Sequence, residues 1–232
     1  MAIKKIGPVG SWNILSYFFV ILIFTSCLSA KKVDRWVAGK YKDQPAPRTR
    51  KGAENISVNT TLPDMGNSMS SSELKTTRFL PLILYWQFEN RTTCQLNPQI
   101  AVNNFTNIIK TYHVNATLQK LNGRRLEVTI EKLPRTFVLT DIEHAIWLVY
   151  IFAWYKLAVE PGKEGMLVSY KLYDQTNTVV KSGEASTSNM DKGIPIGPFQ
   201  SVKRKTWEYL DQYNANISTL SKEIIDSILS EL

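Results

Sequence analysis

Apolar and polar positions switch between two rhythms along this chain. Leu126, Val128 and Ile130 alternate with Glu127, Thr129 and Glu131, the period of a strand buried on one side. Ala101, Phe105, Ile108, Ile109 and Tyr112 fall instead on one face of a helix. That helix has a start signal: Asn97 is a good N-cap, and Pro98 stands at the first helical position, where its missing N–H costs nothing. Leu210, Ile217 and Ile224 recur every seven residues, with Leu220 and Ile228 beside them, which predicts an amphipathic helix over 207–229. Phe79 to Phe88 (FLPLILYWQF) is rich in aromatic and branched residues and predicts a strand, Pro81 being tolerable at its beginning or on an edge. Asn122-Gly123 marks a turn.

The densest apolar stretch is Ala145 to Val159 (AIWLVYIFAWYKLAV). Thr140 and Glu143 have the spacing of a capping box, which favours a helix. The crowding of β-branched and aromatic residues favours a strand, and turns at 161–165 and 175–178 then give a three-stranded meander through 166–173 and 179–185. Its two faces, Ile146/Leu148/Tyr150/Phe152/Trp154 and Trp147/Val149/Ile151/Tyr155/Leu157, are both apolar, whereas one-sided burial produces alternation. One face is expected to pack on helices. The other then needs a cover: the N-terminal segment, the Gly/Pro loop 190–198, or another protein. Trp147, Tyr150, Phe152 and Trp154 are the candidate partner-binding residues. The element order is β-α-β-β-β-β-α. It predicts an α+β domain over 77–232, with a mostly antiparallel sheet of about five strands and two helices packed on one face.

Upstream, the pattern fades. Residues 27–76 carry Pro45, Pro47 and Pro63, polar runs at 55–61 and 67–72, and few spaced apolar positions. That composition predicts a flexible tether. Residues 1–26 have Lys4 and Lys5, an apolar run from Ile14 to Phe24, and small residues before Cys27: the parts of an export signal. The run is shorter than the roughly 20 residues that span a bilayer core.

Phe24-Thr25-Ser26-Cys27 resembles the lipobox of bacterial lipoproteins, in its looser form found in the Bacteroidota. The resemblance implies cleavage before Cys27 and acylation of that residue. With Leu28 and Ser29 next, it implies sorting to the outer membrane, facing the periplasm. The element order from Arg78 onward resembles the auxiliary lipoproteins of envelope ABC-type transport systems, a likeness of architecture that carries no binding residue.

The formal net charge of +8 invites a nucleic-acid reading, which its distribution argues against. Residues 31–51 hold eight basic and two acidic residues, which accounts for the whole excess once Lys4 and Lys5 are removed. A nucleic-acid-binding domain carries its charge on the folded surface. Lys31, Lys32, Arg35, Lys40 and Lys42 instead lie beside the expected anchor, where each can meet anionic headgroups at about 1 kcal/mol. A merely soluble basic linker explains them equally well.

Candidate catalytic residues are few. With Cys27 acylated, Cys94 has no disulfide partner and reads as a small buried apolar residue. His113 falls at the end of the first predicted helix, where a cation is favoured near the carbonyl ends. Asp141, Glu143 and His144 are close in sequence, but on a strand they do not all point one way, so no metal site is expected. The sequence therefore points to a non-enzymatic, membrane-anchored envelope protein without a cofactor, which binds an unidentified envelope protein in assembly or transport. Two other readings stay open. One is an envelope hydrolase using Cys94, His113 or His144. The other is a secreted glycoprotein bearing sugars on Asn-x-Ser/Thr triplets at Asn55, Asn59, Asn90, Asn104, Asn115 and Asn216.

Overall fold

The computed structural model describes residues 29–42, 53–80, 83–148 and 151–232; the export signal and Cys27 lie outside them. The fold is α+β, with two sheets, mostly antiparallel, and four α-helices among the described residues. The helices are α1 (Ala30–Tyr41), α2 (Pro98–Ile109), α3 (Val114–Leu121) and α4 (Val202–Glu231). The strands are β1 (Ile56–Thr60), β2 (Ser68–Leu80), β3 (Ile83–Gln95), β4 (Arg125–Lys132), β5 (Thr136–Trp147), β6 (Ile151–Pro161), β7 (Met166–Tyr173), β8 (Val179–Thr187) and β9 (Ile194–Pro195).

One sheet has the order β1-β4-β7-β8, with β1 parallel to β4 and the other pairs antiparallel. Its alternation is the one the sequence announces: Leu126, Val128 and Ile130 of β4 and Met166, Val168, Tyr170 and Leu172 of β7 are all buried. Gly183 of β8 makes room for the Tyr170 ring; a Cβ there would stand 2.7 Å from Tyr170 Oη. The second sheet, β2-β3-β5-β6-β9, is antiparallel throughout. One continuous core joins both sheets and the helices, with Phe137 of β5 packed on Tyr209 of α4 at 5.2 Å between ring centroids.

Several expectations need correction. The sheet of about five strands is two sheets of four and five, and the helices number four rather than two. The predicted meander is divided: β7 and β8 pair, but β6 belongs to the other sheet. Within 27–76, α1, β1 and the start of β2 belong to the folded body, so those parts are no tether. Val33 and Val37, one helical turn apart, are fully buried. The Trp207 indole donates to the Trp36 carbonyl at 2.9 Å, and the Tyr41 hydroxyl donates to Asn214 Oδ1 at 3.2 Å. Burial pushes the Tyr41 phenol well above its usual range.

The two apolar runs read as single strands are both hairpins. Leu80 pairs with Ile83, and Trp147 with Ile151. Pro81, Val149 and Tyr150 lie outside the described residues. The strand reading of 145–159 holds in place of a helix, as two strands rather than one. The α2 start is as expected, with the Gln99 N–H donating to Asn97 Oδ1 at 2.9 Å. His113, however, sits with positive φ ahead of α3 and not at the carbonyl end of α2, which stops at Ile109.

Candidate functional site

The four long strands of the second sheet run past the body. β2 rises to Leu80, β3 descends, β5 rises to Trp147 and β6 descends, so the two hairpins end side by side, with Leu84 opposite Trp147. Near the body, one face of this sheet is core: Cys94, Phe137, Leu139 and Val159 are all buried. Beyond the row of Asn90, Asp141 and Leu157, no described side chain of this face is fully buried.

Cross-strand partners share a face, so the register assigns every projecting side chain. The core-side face continues through Lys75, Phe88, Glu143 and Tyr155, then Thr77, Trp86, Ala145 and Ala153, and ends in Phe79, Leu84, Trp147 and Ile151. The opposite, outer face carries Thr76, Gln87, His144 and Trp154, then Arg78, Tyr85, Ile146 and Phe152, with Leu80 and Ile83 last. Phe79 is 81% exposed, Ile151 62%, Phe152 57% and Trp147 56%. Among the described residues, neither the N-terminal segment nor the 190–198 loop covers them: β2 is itself the edge of the sheet, and β9 reaches only Ala158 and Val159.

The expected partner-binding set is thus split. Trp147 projects on the core-side face, whereas Phe152 and Trp154 project on the outer one; Tyr150 lies outside the described residues. Both faces of the predicted strand are apolar, but among the described residues no helix covers either one at the tip. Sequence reasoning missed Phe79, Leu80, Leu84 and Trp86 as members of the same surface. Their signal was present in FLPLILYWQF, which repeats the character of AIWLVYIFAW.

Charge is distributed by height. From residue 77 to the first turn and back to 86, and from 145 to the second turn and back to 153, Arg78 is the only charged residue described. Directly below lies a belt containing Lys75, Glu89, Glu143 and Lys156, one from each strand. Lys75 sits over the Phe88 ring, 5.5 Å from its centroid, and Lys156 pairs with Glu160 at 2.7 Å. This tip, uncharged but for Arg78 among the described residues, is four residues tall, about 13 Å at strand rise, close to half of a bilayer's hydrocarbon core.

The outer face holds one polar network within this region. The Tyr85 hydroxyl lies 3.0 Å from both Gln87 Oε1 and His144 Nδ1. Having one proton, it donates to Gln87 and accepts from His144 when Nδ1 carries hydrogen. His144 also stacks on Trp154, with ring centroids 5.0 Å apart. On the core-side face, Trp86 and Phe88 stack at 6.3 Å.

The candidate catalytic residues are not brought together. Cys94 is buried on the core-side face, its thiol 3.7 Å from the Thr92 carbonyl and pushed up to about 12 by burial. His144 projects from the other face, level with Gln87. His113 is on the helical side, its ring 4.1 Å from that of Tyr112. Asp141 and Glu143 share a face that His144 does not, and no group of metal-ligating side chains occurs among the described residues. Of the expected headgroup-facing cations, Lys40 is paired with Asp211 at 2.7 Å, and Lys32 sits over Trp36. Lys31, Arg35 and Lys42 are exposed. Of the Asn-x-Ser/Thr asparagines, Asn104 is held in α2 by Asn214 and Ser218, and Asn216 in α4 by Asn189.

No family model, no curated protein and no solved structure matches this chain. No described helix is long and apolar enough to cross a membrane. The functional reading therefore rests on the hairpin tips.

Proposed function

We propose that this chain is a non-enzymatic, lipid-anchored envelope protein, acylated at Cys27 and facing the periplasm at the outer membrane. In this reading its paired hairpins reach into the apolar layer of a bilayer and serve assembly or transport there. One observation carries the proposal: large apolar side chains are exposed on both faces of the tip at once, Phe79, Trp147 and Ile151 on one and Leu80 and Phe152 on the other. A protein surface docking on a sheet covers one face, whereas a lipid phase covers both faces and the turns.

Magnitudes support insertion. Burying a large apolar side chain completely is worth about 1.5–3 kcal/mol. Phe79, Leu80, Trp147, Ile151, Phe152, Trp154 and Tyr155 are each about half exposed or more, so each stands to gain about 1 kcal/mol and the set about 7 kcal/mol. Several acyl chains on Cys27 would hold the protein firmly, whereas one chain gives only marginal binding. Residue 27 is three positions before the start of α1, a reach of about 10 Å. The anchor would then hold the body at the bilayer surface, with Lys31 and Arg35 near the headgroups, instead of on a long leash.

The test uses residues 29–232, which lack the acylated cysteine, with neutral phosphatidylcholine vesicles. The protein should float with the vesicles, and a variant with serine at Trp147, Ile151, Phe152 and Trp154 should stay in the aqueous layer. Equal behaviour of the two sinks the reading. A second reading, a protein partner gripping the outer face, draws on the Tyr85–Gln87–His144–Trp154 network, which offers directional contacts that lipid would not use. It predicts that Phe152→Ser abolishes function while Ile151→Ser on the other face does not.

A further inference from the structure

The sheet that carries the tip has two open edges. Among the described residues, β2 is paired on one side only, by β3. β6 is paired by β5 along its length but by β9 only at Ala158 and Val159, with Ile196 N–H donating to the Leu157 carbonyl at 2.8 Å. Residues 151–156 of β6 and the whole distal part of β2 therefore present a ladder of backbone N–H and C=O groups outward. In water such edges are solvated. In hydrocarbon they are not tolerated, because each group left without a partner costs more than a half-exposed side chain gains.

The two edges match. The strands run up, down, up and down in the order β2, β3, β5, β6, so β6 of one copy laid against β2 of the next makes an antiparallel pair. At the body, β9 caps the β6 edge, and α1 packs against β2 and β3. The open stretches, 74–80 and 151–156, then lie at a similar height in the sheet. This contact joins unlike edges, so it is head-to-tail, and copies added this way form a ring when the rotation closes.

We propose that copies of this chain join edge to edge, β6 of one to the distal half of β2 of the next, and that their hairpin tips form one continuous sheet in the membrane. The proposal rests on the insertion reading above and adds the partner: a second copy of this chain. The polar network of the outer face argues for the side each face takes. Among the described residues, the core-side tip carries Thr77 as its only residue with a hydroxyl, amide or charge above the charged belt, whereas the outer face carries Thr76, Gln87, His144, Arg78 and Tyr85. A lone inserted copy has lipid on both faces; in the ring the core-side face keeps its lipid, and the outer face turns toward the enclosed side.

The test is cysteine crosslinking of the full-length, acylated protein in isolated membranes. Cysteine is introduced at Thr77 on β2 together with Ala153, Ile151 or Tyr155 on β6; three positions on β6 cover the stagger between copies. All four side chains lie on the core-side face and Cys94 is buried, so the native thiol stays silent. On mild oxidation at least one double variant should give a ladder of dimers, trimers and higher species. Each single variant should give none, and two single variants expressed together should stop at the dimer.

Two results overturn the inference. One is dimer formation by a single variant, which marks a two-fold contact of like edges. The other is the absence of any ladder while Trp147, left as the sole tryptophan, is quenched by brominated lipid, which means that the tip inserts without neighbours. No ladder and no quenching overturn the insertion reading as well. Thr77 and Ala153 are exposed, and an unchanged near-UV dichroism spectrum confirms that the variants are folded.

Discussion

Ala153 gives the sharpest single-residue test of insertion. It is exposed, it projects on the core-side face, and it sits in the lowest row of the tip, level with Thr77, Trp86 and Ala145. In water an exposed substitution there should shift folding stability by no more than about 0.5 kcal/mol. In a membrane the same position lies between the headgroups and the midplane. An arginine on the lipid face of a β-structure costs about 2–4 kcal/mol at the midplane and about 0–1 near the interface, so Ala153→Arg should cost about 2 kcal/mol. That is about a 30-fold loss in partitioning onto neutral vesicles. Ala153→Leu adds three carbons to the same site and should move partitioning the other way, by about 2 kcal/mol at most. Vesicle titration followed by flotation reads both variants, and Val180→Arg on the half-exposed β8 strand serves as the charge control. If Ala153→Arg binds like the wild type, or if Val180→Arg loses as much, the tip is not what enters lipid.

Other expectations concern the body. Gly183→Ala forces a Cβ to within 2.7 Å of Tyr170 Oη and 2.9 Å of its ring carbons, and denaturant melts should show a loss of about 1–3 kcal/mol. Tyr213 is buried, and its hydroxyl has no hydrogen-bond partner among the described residues. Tyr213→Phe removes a desolvated polar group without opening a large cavity, and should leave stability unchanged or raise it by about 1 kcal/mol. Cys94, buried and with its thiol pushed up to about 12, should resist iodoacetamide at pH 8 in the native protein and react once guanidinium unfolds it. Rapid native labelling would reopen the hydrolase reading.

The parts of the fold that were legible are those where one side of an element faces water. β4 and α2 announce themselves through Leu126, Val128 and Ile130 and through Asn97-Pro98, because burial on one side writes a period into the sequence. The hairpins did not, for the reason that makes them interesting. Reversals in water are marked by Gly, Pro, Asn, Asp or Ser; Pro81 is the one such residue in 79–88 and is equally compatible with a strand's beginning or edge, and 145–159 has none, so each run reads as one long strand. The division into two sheets was hidden because β6 and β7 are consecutive in sequence but pair with different neighbours. Helix α1 was hidden by composition: its buried stripe is narrow, Val33 and Val37 with Trp36 beside them, and four lysines and an arginine from Lys31 to Lys42 surround it. Of the candidate site, the apolar character of 145–159 was readable; its union with 79–88 depends on the long-range pairing of β3 with β5, which no local pattern records.

Fluorescence of single-tryptophan variants of the full-length protein, in vesicles containing brominated lipid, tests the central claim most directly. Trp147 projects from the core-side face of the tip and is 56% exposed, whereas Trp207 sits in α4 with its indole bonded to the Trp36 carbonyl. The account predicts strong quenching when Trp147 alone remains and little when Trp207 alone remains. Equal quenching of the two, or none at Trp147, would contradict it.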